Sequence, residues 1–111
     1  IGGNLYKNAN LHVGSGMINQ LADIKVDLCL LGANAFSVEE GLSDLDWEVV
    51  QAKKAIIRSA KKVAVLAISE KLNTIQTIRI CGTEKIDYLI TELSPESDFL
   101  ASYRNTDLNL I

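Results

Sequence analysis

Three side chains stand where an α/β domain could use them for binding. Lys71 closes Ser69-Glu70-Lys71, directly after the apolar run VAVLAI, residues 63–68. A lysine at the carboxyl end of a strand can meet an anionic ligand as a point charge, or it can be a surface lysine. Asn34 lies in Gly32-Ala33-Asn34-Ala35, after the apolar run VDLCLL. With small neighbours on both sides, its amide can bond a ligand hydroxyl or cap a turn. Lys53 belongs to the basic half of a long amphipathic pattern and lies nearest that pattern's apolar stripe, so it can turn inward.

Other residues suggest less. Gly2-Gly3 follows an apolar residue and allows close approach of the backbone, by a ligand or by packing. Gly41 ends an unusually long connection from Leu30 to Ser43, where about 4–6 residues would serve. The basic helix half, with Lys54, Arg58, Lys61 and Lys62, can meet a phosphate but reads more simply as a solvated face. His12 stands alone, without a Cys, Asp or second His at metal or triad spacing. Trp47 reads as a packing residue, and Cys29 and Cys81 as buried reduced thiols. Dinucleotide, P-loop, nucleophile-elbow and zinc-protease patterns are absent from the sequence. Neither a cofactor nor a metal is expected.

These residues need elements to place them. Met17, Ile18 and Leu21 put a short helix over 14–23. VDLCLL, 26–31, is a short apolar run bounded by turn signals, and reads as a strand covered on both faces. The clearest element is a helix from Leu45 to Lys62. At 100° per residue, Val49, Ala52, Ile56, Ala60 and Val63 form one stripe. Ser43 or Asp44 is the expected N-cap, and acids at the start with lysines at the end suit the helix dipole. Strands are expected at 63–68, 74–81, 87–91 and 107–111, the second more exposed than the others. Ser94 and Pro95 predict a helix start, with the helix running to Arg104. Strands alternating with helices predict a mostly parallel, Rossmann-like α/β sheet with flanking helices.

With 111 residues the chain holds one small domain. Its 11 Lys and Arg against 14 Asp and Glu exclude the basic balance of a nucleic-acid-binding module. At 5% aromatic residues it also lacks a base-stacking platform. Without a signal peptide or an apolar run of about 18 residues, it is read as cytoplasmic with no membrane partner. Ile1 begins IGGNLY, which reads as the end of an apolar element, so the natural sequence is expected to continue upstream.

The succession IGGNLY, VGSGMINQL, VDLCLLGANAF, EEGLSDLDWEVVQAKKAII, VAVLAISEK and IDYLITE resembles the C-terminal effector domain of DeoR-family transcriptional repressors. The matching residues are Gly2-Gly3, Asp27, Leu31-Gly32-Ala33-Asn34, Gly41-Leu42-Ser43, Lys53, Ala55, Lys71, Ile86-Asp87 and Leu89-Ile90-Thr91. The sequence departs from the family pattern at Ala35, Gln51, Ile68 and Glu70.

The resemblance implies a fold related to ribose-5-phosphate isomerase and glucosamine-6-phosphate deaminase, incomplete at the N-terminus. It implies that residues 1–111 are the C-terminal part of one effector-binding domain. A phosphorylated sugar or sugar alcohol would be the effector, and a homo-oligomer the assembly. DNA would be reached only through a winged helix-turn-helix domain that is not in this chain. The start of the effector domain, with its phosphate loop, would also be missing. By the same resemblance, Gly2, Gly3, Gly32, Ala33, Asn34, Gly41, Lys53 and Lys71 would line the ligand site. GANAF would match the sugar-contacting loop of the isomerase, and the long connection would be one wall of the pocket. The isomerase's acid and base positions fall on Asn34 and Ala52, which carry no titratable group, so a sensor is expected and not an enzyme. Two alternatives stand beside it. One is an isomerase- or deaminase-like enzyme fragment. The other is a ligand-free oligomerisation module, self-associating through TIQTIRIC and the helix near Tyr103.

Overall fold

The computed structural model describes residues 4–6, 11–13 and 25–111. Gly2, Gly3 and the helix expected over 14–23 lie outside the described residues. Strands β1 (Asn4–Tyr6) and β2 (Leu11–Val13) pair antiparallel.

β3 (Val26–Gly32), β6 (Ala60–Leu66), β8 (Tyr88–Ile90) and β9 (Asn109–Leu110) form the parallel sheet, in that order. β6 lies between β3 and β8, with Gly32 opposite Leu66 and Leu66 opposite Ile90. The carboxyl ends of these three strands are therefore level. A second, antiparallel sheet of β4 (Ala35–Ser37), β5 (Gly41–Asp44) and β7 (Ile78–Cys81) stands beside it. Helix α1 (Trp47–Ser59) links β5 to β6, and α2 (Ala101–Arg104) follows a 3-10 turn at Asp98–Leu100.

The architecture is α/β with a mostly parallel main sheet, consistent with a Rossmann-like fold. One core joins the two sheets and the helices. Cys29 and Leu31 of β3 and Val63 and Val65 of β6 meet Leu89, Val50, Phe36, Leu42, Ile80, Leu100 and Tyr103.

Several elements differ from expectation. The connection from Leu30 to Ser43 is no open wall. Its middle is the β4–β5 hairpin, with Phe36 opposite Leu42, and both are fully buried. Gly41 closes the hairpin at φ +76°, a left-handed conformation. A Cβ there would clash with the Cys81 carbonyl oxygen. The strand expected at 74–81 shortens to Ile78–Cys81 and joins the antiparallel sheet. Ser94 and Pro95 start a turn and not a helix. Ser97 NH donates to the Ser94 carbonyl at 2.9 Å, and Ser97 itself caps the 3-10 turn that follows. In the helix near Tyr103, offered as a self-association surface, Tyr103 itself is fully buried, while Ala101, Ser102 and Arg104 are exposed.

The β3 strand was expected to be covered on both faces. Cys29 and Leu31 do face the core, whereas Leu28 and Leu30 remain 51% and 58% exposed. With Tyr88, Ile90 and Ile111 they border a shallow apolar depression that no described element covers.

Candidate functional site

The site grows from how β5 turns into α1. At the end of β5, Asp44 Oδ1 accepts from Leu45 NH at 2.7 Å and Asp46 NH at 3.3 Å. This side-chain turn ends the strand. Asp46 is the N-cap of α1, accepting from Glu48 NH at 2.9 Å and Val49 NH at 3.2 Å. The cap, expected at Ser43 or Asp44, thus falls further on, at Asp46. Ser43 is occupied elsewhere, accepting from Gln76 NH at 2.9 Å.

The same Asp44 carboxylate gathers two of the predicted residues. Asn34 Nδ2 donates to Asp44 Oδ1 at 3.3 Å, and Lys53 Nζ lies 3.9 Å from Asp44 Oδ2. Lys53 Nζ also donates to the Gly32 carbonyl at 2.7 Å. The Lys53 and Asp44 side chains are each only 11% exposed. Burial lowers the Lys53 pKa, and the Asp44 charge works against that shift. Lys53 turns inward as expected, but there it serves as a strut between β3 and α1. Ala33 NH donates to the Leu66 carbonyl at 2.9 Å, continuing the β3–β6 ladder past Gly32. Among the described residues, a Cβ at Gly32 would meet nothing within 4 Å.

Lys71 follows the end of β6 and precedes Leu72, which bridges Phe36. Its segment is a 3-10 turn, Ser69–Lys71, fixed on both sides. Upstream, Ser69 donates its NH and its hydroxyl to the two oxygens of Glu92, at 2.8 and 2.6 Å. The Ser69 hydroxyl, then that of Thr91, holds the Glu92 carboxyl down to a pKa of about 2. Downstream, Asn73 takes the left-handed φ of 61°. Its NH donates to the Tyr103 hydroxyl at 3.0 Å, and that hydroxyl donates to Asn73 Oδ1 at 2.8 Å. The Tyr103 ring stacks on Phe36 with centroids 5.9 Å apart. Lys71 is half-buried and makes no ion pair among the described residues. A fixed turn carrying an uncommitted ammonium is a suitable contact for an anion.

Gly32, Asn34 and Lys53 meet around Asp44 at the end of β3, and the Lys71 turn follows the neighbouring strand β6, where Leu72 bridges Phe36. Gly41 lies in the β4–β5 hairpin, where a Cβ would meet backbone atoms of Cys81 and Gly82. Sequence reasoning missed Asp44 as the organiser of the site, and missed Glu92 and Tyr103 as braces. Trp47, expected to pack, is 61% exposed at the amino end of α1. The basic half of α1 is largely a solvated face. Just beyond it, Lys61 and Lys62 pair with Asp27 and Asp87 at 3.6 and 3.8 Å. Cys29 is buried, Cys81 is half-buried, and both thiols are free. Among the described residues no cluster could hold a metal ion, and no helix is long and apolar enough to cross a membrane.

Residues 1–93 match the family described as the DeoR C terminal sensor domain. Over 74 residues the chain is 34% identical to the HTH-type transcriptional regulator GolR of Listeria innocua, covering 67% of this chain and 29% of that protein. It is 28% identical over 95 residues to the glycerol-3-phosphate regulon repressor of Haemophilus influenzae, covering 86% and 37%. It is 32% identical over 99 residues to the HTH-type transcriptional repressor GlcR of Bacillus subtilis, covering 89% and 38%. The chain therefore spans between about a quarter and two fifths of these relatives' length.

Proposed function

The chain belongs to the DeoR C-terminal sensor domain family, and from that premise we propose that it binds a phosphorylated sugar or sugar alcohol. Binding would alter the DNA affinity of a winged helix-turn-helix domain elsewhere in the same polypeptide. Lys71 meets the phosphate, while Gly32, Ala33 and Asn34 meet the polyol. The observation that carries this reading is the turn of Lys71, braced by Glu92 on one side and Tyr103 on the other, with its ammonium in no ion pair among the described residues. Gly2 and Gly3 belong to the proposed site through the family resemblance alone.

A sensor is favoured over an enzyme by the relatives, which are named as regulators, and by Ala52. That residue is fully buried in the core-facing side of α1 and carries no group that could move a proton. The finer fold relationship proposed is to ribose-5-phosphate isomerase and glucosamine-6-phosphate deaminase. We further read residues 1–111 as the C-terminal part of one effector-binding domain, completed by the polypeptide that precedes them in the full-length protein. Two observations support this. The relatives are much longer than the matched region, and among the described residues Leu28 and Leu30 stay exposed on one face of the parallel sheet, although such sheets are usually buried on both. A cytoplasmic homo-oligomer is the proposed setting.

The test is thermal melting of the full-length protein with a panel of sugar and polyol monophosphates. At least one should raise the melting temperature, and Lys71→Ala should abolish the rise while leaving the ligand-free melting unchanged within about 2 °C. A Lys71→Ala protein that responds like wild type would remove Lys71 from the site.

A further inference from the structure

A second cleft lies away from the loop after β3. It has a volume of about 650 Å³ and is lined by the second half of α1, the start of β6, the end of β7 and the 3-10 turn Thr83–Lys85. Gly32, Asn34, Lys53 and Lys71 are not among its lining residues. Ala60, which lines it, and Leu66, opposite Gly32, are the two ends of β6, about 20 Å apart at about 3.3 Å per residue. Lys54 and Arg58 are one turn apart on a single face of α1, and Lys85 comes from the 3-10 turn. None of these cations makes an ion pair among the described residues. The remaining cation of the cleft, Lys61, pairs with Asp27 at 3.6 Å. Of the acids that line it, Asp87 is committed: its Oδ2 accepts from Val63 NH at 2.9 Å and its Oδ1 lies 3.8 Å from Lys62 Nζ. Glu84 alone is left against Lys54, Arg58 and Lys85. Ile57, Val63, Ile80 and Cys81 give the cleft its apolar surface.

We propose that this cleft is a second ligand site, taking a small organic phosphate with two or more negative charges on a flat or apolar body, the chemistry of a nucleotide. Cations gathered in a concave wall raise the local potential and draw an anion into it. The Arg58 guanidinium can hold a phosphate through two N–H groups, with Lys54 and Lys85 acting as point charges beside it. Inorganic phosphate would use the cations and leave the apolar surface bare, so an organic body adds affinity. The volume of about 650 Å³ falls in the range of about 300–1,000 Å³ typical of small-molecule sites. An extended nucleic acid is disfavoured by the chain's net charge of −3. The proposal is independent of the effector reading, and it gives a role to the part of the basic half of α1 that faces the cleft.

The experiment follows alkylation of Cys81, which lines the cleft, by iodoacetamide in the full-length protein. Divalent metal ions are left out, and ionic strength is kept low so that the exposed cations are not screened. The probes are ADP, AMP, pyrophosphate and inorganic phosphate. ADP should slow the modification of Cys81 about fivefold or more at saturation, with AMP and pyrophosphate needing higher concentrations and inorganic phosphate the highest. The double variant Lys54→Gln, Arg58→Gln should raise the ADP concentration for half-protection about tenfold or more, with the melting temperature unchanged within about 2 °C. Lys85→Gln gives a second reading from the 3-10 turn and should weaken ADP in the same direction. Lys71→Ala should leave the protection by ADP unmoved. No protection by millimolar ADP, or protection undiminished in the double variant and in Lys85→Gln, overturns the inference. Loss of protection in Lys71→Ala also overturns it, because the anion would then lie at the effector site. Pyrophosphate acting at the same concentration as ADP would overturn the assignment of an organic body to the ligand.

Discussion

Removing one member of the Asp44–Lys53 pair should have very unequal effects depending on which is removed. Asp44→Ala deletes the acceptor of two backbone NH groups and one amide, and the carboxylate facing Lys53. The lysine then keeps only the Gly32 carbonyl, at 11% side-chain exposure. Breaking a buried pair in this way costs about 3–5 kcal/mol. The 3.9 Å separation and residual solvent place this case near the lower end, about 3 kcal/mol. Lys53→Met keeps the volume of the side chain and leaves Asp44 with all three of its hydrogen bonds. Its cost should be about 1 kcal/mol, from the lost Gly32 bond and the lost charge partner. Because the two residues share one contact, the double variant should cost less than the sum of the singles, by about 1 kcal/mol or more. Urea unfolding of the full-length protein measures all three, provided the slopes agree between variants. Equal costs for the two single variants, or strict additivity, would show that Asp44 does not organise this end of the sheet.

Three further outcomes follow from individual contacts. Gly41→Ala should destabilise by about 3 kcal/mol or more, because the new Cβ meets the Cys81 carbonyl at a left-handed φ, and a drop in melting temperature reads it. Tyr103→Phe leaves the ring stacked on Phe36 but strips the Asn73 brace, so stability should fall by about 1–2 kcal/mol and effector affinity with it. Burial, then the nearby Glu84 charge, lifts the Cys81 thiol from 9.0 to about 11, and the native protein therefore keeps a proton that the unfolded chain releases. The sign is that stability falls as pH rises from about 9 to about 11. Iodoacetamide at pH 8 should accordingly modify Cys81 roughly a hundredfold more slowly in the native protein than in urea, read by mass spectrometry of the Cys81 peptide.

Local pattern carried much of the fold. Short apolar runs marked β3, β6 and β8 to within a few residues, and the stripe of α1 marked the long helix. The hairpin was hidden because its strands are three and four residues long and have no clean alternation. Its one strong signal, Gly41, is equally what a ligand loop would show. The expected helix at Pro95 failed for a different reason. Ser94 bonds Glu96 and closes a turn of its own, and helical structure starts only at Asp98. The inward turn of Lys53 was legible from its place beside the apolar stripe of the helix, and the positions of Asn34 and Lys71 after strands from the apolar runs before them. Their organisers were not. Asp44 acts on Asn34 ten residues away, Glu92 on Ser69 at 23, and Tyr103 on Asn73 at 30, separations that no local periodicity encodes. Trp47 was misread because apolar character alone does not say which face of a helix start meets solvent.

If a phosphorylated ligand at Lys71 changes the grip on DNA, as proposed, reciprocal linkage makes that measurable in one experiment. The affinity of the full-length protein for its own promoter DNA should be measured with and without the monophosphate that raises its melting temperature, at fixed ionic strength, with inorganic phosphate as control. The account predicts a change of about five- to 150-fold in wild type, absent from Lys71→Ala and from the phosphate control. An unchanged DNA affinity in wild type, or an equal response in Lys71→Ala, would contradict it.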